Sequence, residues 1–559
     1  METLWTSLPQ ELTVNLLAGG IGRTHLTEIG YQCIKFSQTE TDQRALYYRL
    51  ACETMLAAWN HDPLNIQSAQ LASSILGADA LQSPTGKMLS RIAKESKPVN
   101  LAPQEQRIRR LIHRGLHDEA ADILTSLLEN NPEGIATLKL ALEMQELCFE
   151  KPFRTLARRQ LEKMDIEDMK PLQHFLEANM AFAQKRYDQA ATKYIKTLNY
   201  GTFPEARVRL AECLLRTGLR DDAINEYAKD ISDRPWYINS LLRTSELLEK
   251  SDQESCNPPG KVAILIYSYN KAKELNATLE AVFAARYENT FIAVLDNGST
   301  DNTAAVINKW ESISRRRGDL PMKRFDLHVN IGAPAARNWL LYHPQISKAE
   351  FAAFLDDDAL PPTDWLQKLG AAINRYPDAG VWGCKVVDAN SSHKLQSVDL
   401  HLKAGSKAKN ELGYHYPQLR PTDIHHQTQD YGQFDYVRPC VSVTGCCHIM
   451  RMSDLEKIGG FDIRFSPSQF DDVDRDLRLC LQRMTPVYQG HLRVRHLKCS
   501  GTSGTVDKKS AALQLGNQLR LDMKYQLNDL QKIRTNDYET TLSDAMHKRK
   551  IVLDILKKQ

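Results

Sequence analysis

Three consecutive carboxylates, Asp356, Asp357 and Asp358, stand directly after the apolar run FAAFL. A second acidic pair, Asp471 and Asp472, opens the segment FDDVDRDLRLCLQRM. Like charges this close repel, so the triplet costs stability unless a cation neutralises it. Hard oxygen donors favour Mg2+ or Mn2+, and a cation held there can in turn grip a diphosphate. The same residues also suit a solvated acidic turn capping the helix expected near Pro361–Trp365. In the second segment Val473, Leu477, Cys480, Leu481 and Met484 make a helical apolar stripe, which puts Asp471 and Asp472 at a helix N-terminus. A carboxylate there can cap the helix, or it can take the proton from an attacking hydroxyl. Residue types alone leave both roles open.

The elements that position these acids read as an alternation. From Lys261 onward, short β-rich runs (KVAILIYS, NTFIAVLD, KRFDLHV, EFAAFL, GVWGCKVV) alternate with amphipathic helices. One helix carries the stripe Leu275, Thr278, Leu279, Val282, Phe283. The next carries Val306, Ile307, Trp310, Ile313, and further helices are expected around Ala335–Leu341 and Asp364–Arg375. Such alternation predicts an α/β domain with a mostly parallel sheet, whose ligands bind at the carboxyl ends of the strands. Asp296 ends the second run and Asp356 follows the fourth, so the acids fall where a ligand is expected.

A family resemblance rests on these segments in order. They are IYSYN at 266–270, VLDNGSTDNT, Asn330-Ile331-Gly332 with Ala336-Arg337-Asn338, FLDDDALPP, and TGCCHIMRMSDLEKIGGFDIRF followed by FDDVDRDLRL. Together they resemble an inverting family 2 glycosyltransferase of the GT-A fold, over roughly 240 residues from Lys261 to about Ser500. The resemblance implies a nucleotide-sugar site containing Asp296, Arg337, Asp356 and Asp357. It implies a metal site of Asp358 completed by His496, which would hold Mn2+ or Mg2+. It also implies a catalytic base at Asp472, with Asp471 as helper in place of the family's Glu. Gly445 falls where the family keeps a small residue near the acceptor. A carboxylate at Asp296 can accept from the imino N–H of uracil, thymine or guanine but not from neutral cytosine. The expected donor is therefore a UDP-, dTDP- or GDP-sugar, UDP first, and the acceptor is a protein or a glycan. The linker from Asp388 to Asp435 carries His393, His401, His415, His425 and His426 without helical metal spacing, and reads as an exposed acceptor-side loop.

The front half is helical and repeats. GLHDEAADILTSLLENNP and GLRDDAINEYAKDISDRP align, and Ala157, Ala190 and Ala223 recur every 33 residues, with Tyr194 and Tyr227 four residues after their alanines. This pattern resembles tetratricopeptide repeats, stacked helix pairs that offer a groove to a peptide or a second subunit. The expected architecture is multidomain. It has a helical region at 1–100, TPR-like helical repeats at 101–250, a polar linker at 251–260, the α/β GT-A (Rossmann-like) domain at 261–504 and a helical extension at 505–559. The extension is expected to pack on the catalytic domain, form a homo-oligomer or touch a membrane surface.

Composition narrows the classes. Lys+Arg 72 against Asp+Glu 69 leaves +3 over 559 residues, which gives no electrostatic case for nucleic acid. No run has the length of a membrane span, and the start lacks a signal peptide's basic and apolar segments. The 11 scattered cysteines read as reduced thiols, so a cytoplasmic protein, at most peripheral to a membrane, is expected. Two other function classes compete with the transferase. A scaffold that only binds nucleotide or glycan has no need of so many acids. Nucleotidyl transfer wants a glycine-rich loop after the first strand, and YSYNKAKE has no glycine.

Overall fold

The computed structural model describes residues 4–94, 101–131, 134–148, 151–163, 167–201, 203–403, 419–497 and 508–556. The chain divides into two compact units, Gly19–Ser240 and Met1–Ala18 together with Leu241–Gln559.

Among its described residues, Gly19–Ser240 is built of helices joined by turns. Its later helices are Ala102–His113, His117–Asn130, Ile135–Leu147, Lys151–Glu162, Lys170–Ala183, Tyr187–Leu198, Glu205–Arg216 and Arg220–Asp233. The repeat in the sequence has a physical basis here. Ala120, Ala157, Ala190 and Ala223 are all fully buried, where only a small side chain lets two helices approach closely. Five residues before three of these alanines, Gly115, Lys185 and Gly218 occupy the left-handed region at φ 76°, 59° and 85° and turn the chain between paired helices. Tyr194 donates to Asn179 and Tyr227 to Glu212, the same offset of fifteen residues one repeat apart.

In the second unit the strands are β1 (Val262–Ser268), β2 (Thr290–Asn297), β3 (Met322–Leu327), β4 (Phe351–Leu355), β5 (Ala359–Leu360), β6 (Val381–Asp388), β7 (Leu395–Ser397), β8 (Leu402–Lys403), β9 (Arg420–Pro421), β10 (Val437–Pro439), β11 (Cys447–Arg451) and β12 (Val487–His496). The main sheet runs β10-β12-β6-β11-β4-β1-β2-β3, with β5 on β12 and β7 on β6. The neighbours β3, β2, β1 and β4 are parallel, as are β6 and β12, while β11 lies antiparallel between β4 and β6. The chain passes from β1 to β2 and β3 on one side and returns to β4 on the other. The crevice at the carboxyl ends of β1 and β4 is therefore the place a ligand is expected.

The helices α1 (Ala272–Ala284), α2 (Thr303–Arg317), α3 (Ala333–Tyr342) and α4 (Trp365–Arg375) follow β1, β2, β3 and β5. Leu275, Leu279, Val282 and Phe283 of α1, with Ile307 and Trp310 of α2, pack on Ile264, Ile266, Ile292 and Val294 of the sheet. Helix α5 (Asp471–Leu481) precedes β12, and α6 (Lys508–Lys524) and α7 (Leu527–Leu556) end the chain. The architecture is thus the one expected: an all-helical N-terminal region, a mixed, mostly parallel α/β sheet and C-terminal helices.

Three features depart from the linear reading. The helix Gln10–Ala18 belongs to the α/β unit, where Arg438 donates to the carbonyls of Leu17 (2.8 Å) and Ala18 (3.0 Å). The linker is not a free tether: Cys256 N–H donates to Gln367 of α4, and Lys368 reaches the carbonyls of Asp252 and Glu254. The histidine-bearing linker is only partly exposed where it is described: His426 faces solvent, but the chain around His401 and His425 is buried. His401 and His425 are buried, and His401 sits among Asp399, Asp537 and Arg438. The charged partners that bury it come from a distant helix and strand, which spacing within the linker cannot show. His415 lies outside the described residues. The described cysteines are all free, and no described helix is long and apolar enough to cross a membrane.

Candidate functional site

The loops after β1 and β2 are stitched together by small polar side chains. Asn270, in the left-handed region at φ 53°, accepts from Thr300 N–H at 2.7 Å, and its own N–H donates to Ser299 Oγ at 3.0 Å. Asp301 caps α1 by accepting from Ala272 N–H at 3.1 Å. Asn297 and Asn330 bond each other and hold the Asn-Ile-Gly turn, with Ile331 N–H donating to Asn297 and Gly332 N–H to Asn330. The motif residues of the sequence are therefore in large part the hydrogen bonds that shape these loops.

A cavity of about 530 Å3 opens at the carboxyl ends of these strands. Arg337, Asp356, Asp357, Asp358, Asp471, Asp472 and His496 all line it. The structure thus brings together seven of the eight candidate residues from β4, α3, α5 and β12. Asp296 is buried at the end of β2 and accepts from Ser299 N–H at 2.9 Å; its neighbour Asn297, rather than Asp296 itself, lines the cavity.

The three consecutive acids have three different environments. Asp356 accepts from the Arg337 guanidinium at 3.2 Å, and burial raises its pKa. Asp357 turns inward to Ser268 Oγ (2.6 Å) and Lys271 Nζ (3.0 Å), with burial pushing it up to about 6. Asp358 lies between Lys271 Nζ (2.7 Å) and His496 Nε2 (2.8 Å). Burial alone would raise Asp358, but those two cationic partners hold it below the usual carboxylate range. Burial likewise works against charge on His496, and the Asp358 hydrogen bond outweighs it, so the ring is raised above 6.5.

Lys271 was not singled out by the sequence reading, because a lysine in YSYNKAKE looks like any solvated helix-start cation. Gln396 was missed as well. It accepts from His496 Nδ1 at 2.8 Å, which fixes the ring and leaves Nε2 turned toward Asp358. The signal for it lies in three-dimensional pairing across the sheet, where β7 runs beside β6.

The donor atoms fit a hard divalent cation. Among the described residues Asp356, Cys446 and His496 offer ligand atoms within 4.8 Å of one another, and Asp358 adjoins His496. Burial raises the Cys446 thiol well above its ordinary range, so it stays a neutral thiol and the carboxylates and imidazole are the effective donors. A cation would have to take over from Lys271 as partner of Asp358.

The acids that start α5 also divide. Asp471 is buried, pairs with Arg337, and has its pKa raised by burial. Asp472 accepts from Gly445 N–H at 2.7 Å and from Val473 N–H at 2.9 Å. A Cβ at Gly445 would come within 2.9 Å of Asp472 Oδ2, so a side chain there would displace the carboxylate. Arg337 therefore ties the loop carrying Asp356 to the helix carrying Asp471, and its ring partners Tyr267 and Phe461 lie 5.4 and 5.3 Å from the guanidinium carbon.

Residues 263–459 match the family model described as glycosyl transferase family 2. The chain is 25% identical over 239 residues to the O-antigen biosynthesis protein RfbC of Myxococcus xanthus, covering 42% of this chain and 17% of the relative. It is 34% identical over 97 residues to the Escherichia coli enzyme WfaP, a UDP-Glc:alpha-D-GlcNAc-diphosphoundecaprenol beta-1,3-glucosyltransferase, covering 17% of this chain and 35% of the relative. The chain thus spans well under two thirds of both curated relatives. Among solved structures it resembles the mannosyltransferase PcManGT of Pyrobaculum calidifontis, determined with GDP-Man and Mn2+, at 14% identity and a TM-score of 0.35, covering 57% of this chain and 87% of that one. Residues 263–459 are thus similar to the family 2 glycosyltransferases, and this stretch is preceded by a helical region and followed by C-terminal helices.

Proposed function

We propose that this protein is a metal-dependent inverting glycosyltransferase that moves a sugar from a nucleoside-diphosphate sugar to an acceptor hydroxyl. The observation that carries this is the convergence of two acidic groups from distant segments, Asp356–Asp358 and Asp471–Asp472, on one cavity at the strand ends. Asp356, Asp358 and His496 would hold Mn2+ or Mg2+, with Gln396 orienting the imidazole. A cation so held supplies Lewis-acid stabilisation of the departing diphosphate. Asp296 reads the imino N–H of the base, which admits UDP, dTDP and GDP but not CDP, and UDP is placed first among them. The name of the Escherichia coli relative, a UDP-Glc-dependent enzyme, supports the same order.

Asp472 takes the proton of the acceptor hydroxyl as its oxygen attacks the anomeric carbon from the face opposite the nucleotide. Two backbone N–H groups orient it, and its neighbour Asp471 is spent on Arg337, so the division of labour within the pair follows from their partners. The acceptor is a glycan, the class suggested by both curated relatives' names. The helical unit favours a second class, a protein acceptor held on tetratricopeptide-like repeats, because its helix pairs repeat with the buried alanines in register. Asp472→Asn tests the transferase reading: turnover falls roughly 100- to 10,000-fold while donor binding persists. Full activity in that variant rejects Asp472 as base.

A further inference from the structure

The C-terminal extension reaches the catalytic loop through one buried side chain. Asn517 of α6 is fully buried, and its Nδ2 lies 3.1 Å from Phe465 O, 2.8 Å from Ser468 O and 3.2 Å from Gln469 O. Three carbonyls converging on one point need a donor between them, and an amide N–H2 is the neutral group that provides it. Arg520, one turn on, donates to Asn517 Oδ1 and so fixes which end of the amide faces the loop.

The loop that Asn517 grips is unusual in its backbone. Gln469 and Phe470 sit consecutively in the left-handed region at φ 80° and 68°, which side-chain-bearing residues rarely adopt. Such a conformation persists only where its surroundings over-determine it. These two residues immediately precede Asp471 and Asp472, and Pro467, Ser468, Gln469 and Phe470 all line the cavity. Helix α5 has no side-chain cap of its own at Phe470. The rest of the extension holds α5 further along: Tyr525 donates to Asp474 at 2.8 Å, and Leu521, Leu530 and Ile533 pack with Phe465, Leu477 and Cys480.

We infer that Asn517 is a positioning residue for the proposed base. By tying down the carbonyls of Phe465, Ser468 and Gln469, it holds the backbone that turns Asp472 to the cavity and Asp471 to Arg337. The inference rests on the reading of Asp472 as base. It makes the C-terminal extension part of the acceptor-side catalytic apparatus rather than an accessory tail. Asn517 bonds the loop before α5 and makes no direct hydrogen bond to Asp296 or Asp356–Asp358, so its loss is expected to fall on the acceptor side before donor binding.

The test uses the full chain carrying Asn517→Ala, Asn517→Leu and Arg520→Met, with Asp472→Asn in parallel. Donor affinity is measured by titration with UDP and Mn2+, and turnover with the donor sugar and acceptor. In Asn517→Ala and Asn517→Leu, kcat falls roughly a hundredfold, the scale of a misplaced catalytic group, while the UDP dissociation constant stays within about twofold. Arg520→Met, which keeps the amide but frees its orientation, falls by a smaller factor. Wild-type kcat in a folded Asn517 variant overturns the inference, as does a loss of donor affinity in step with kcat, which marks general loosening. Should the Asn517 variants not fold, wild-type kcat in Arg520→Met overturns it instead. An active Asp472→Asn protein would defeat the base reading itself, whereas an inactive one beside a fully active Asn517→Ala protein would defeat only this inference.

Discussion

Asp471 and Asp472 share a helix turn but have different partners, Arg337 for the first and the N–H groups of Gly445 and Val473 for the second, and the roles proposed for them follow those partners. Asp471→Asn removes the carboxylate that pairs with buried Arg337, leaving a guanidinium with fewer anionic partners. Breaking such a buried pair costs about 3–5 kcal/mol, so Asp471→Asn is expected to lower the melting temperature and activity together. Asp472→Asn, by contrast, lowers activity with little change in melting. Lys271 makes a second residue-scale prediction. It is the ammonium between Asp357 and Asp358, and Lys271→Ala leaves those buried acids without it. The variant should melt lower than wild type in EDTA and gain more from added Mn2+; equal gains in the two proteins would contradict a shared cation position. The acids were legible as residue types after strands and at a helix start, and Arg337 through the family resemblance. Lys271, Gln396 and Asn517 were not, because each matters only through a partner between 86 and 100 residues away, or about 50 in the case of Asn517.

The strands β1 to β4 and β6 and the helices α1 to α4 were read from apolar periodicity, and α1 buries the very stripe that its sequence shows, whereas the short strands β5 and β7 to β11 carry no such pattern. The histidine linker was misread because the lack of a metal-binding spacing was taken for exposure, while its buried partners lie outside the linker. Its buried cluster gives an element-scale prediction about β8 and α7. Burial disfavours charge on His401, but Asp537 and Asp399 outweigh it, so its folded pKa lies above 6.5. Protonated His401 therefore adds stability that is complete below 6.5 and lost as pH rises through the folded value. Asp399, despite burial, is held down to about 2 by Arg438 and His401, so its contribution is present above 3.8 and lost as pH falls toward 2. The melting difference between wild type and His401→Gln should accordingly be larger near about pH 5.5 than near about pH 9. A pH-independent difference would show that the ring acts by packing alone. In the helical unit, Ala223→Leu should cost about 1–3 kcal/mol by overpacking a site with no spare room, read by urea unfolding, and leave UDP binding unchanged.

For the whole molecule, the division into a helical front and an α/β back was visible as a change from helical to alternating periodicity. What the sequence could not show is that the first helices of the chain, Leu4–Ser7 and Gln10–Ala18, fold with the far unit. Arg438, more than 400 residues away, reveals it by gripping the carbonyls of Leu17 and Ala18. The central claim concerns one cavity and its two ligands, a cation and a nucleoside diphosphate, and one experiment addresses both. Thermal melting of the full chain is followed with UDP, GDP, dTDP and CDP, each with Mn2+ or EDTA, in wild type and Asp358→Ala. Stabilisation of about 2.7 kcal/mol is expected at a hundredfold excess over the dissociation constant. The account predicts a Mn2+-dependent shift with UDP, none with CDP, and loss of the shift in Asp358→Ala. A folded wild-type protein that responds to none of the four, with or without the metal, would contradict it.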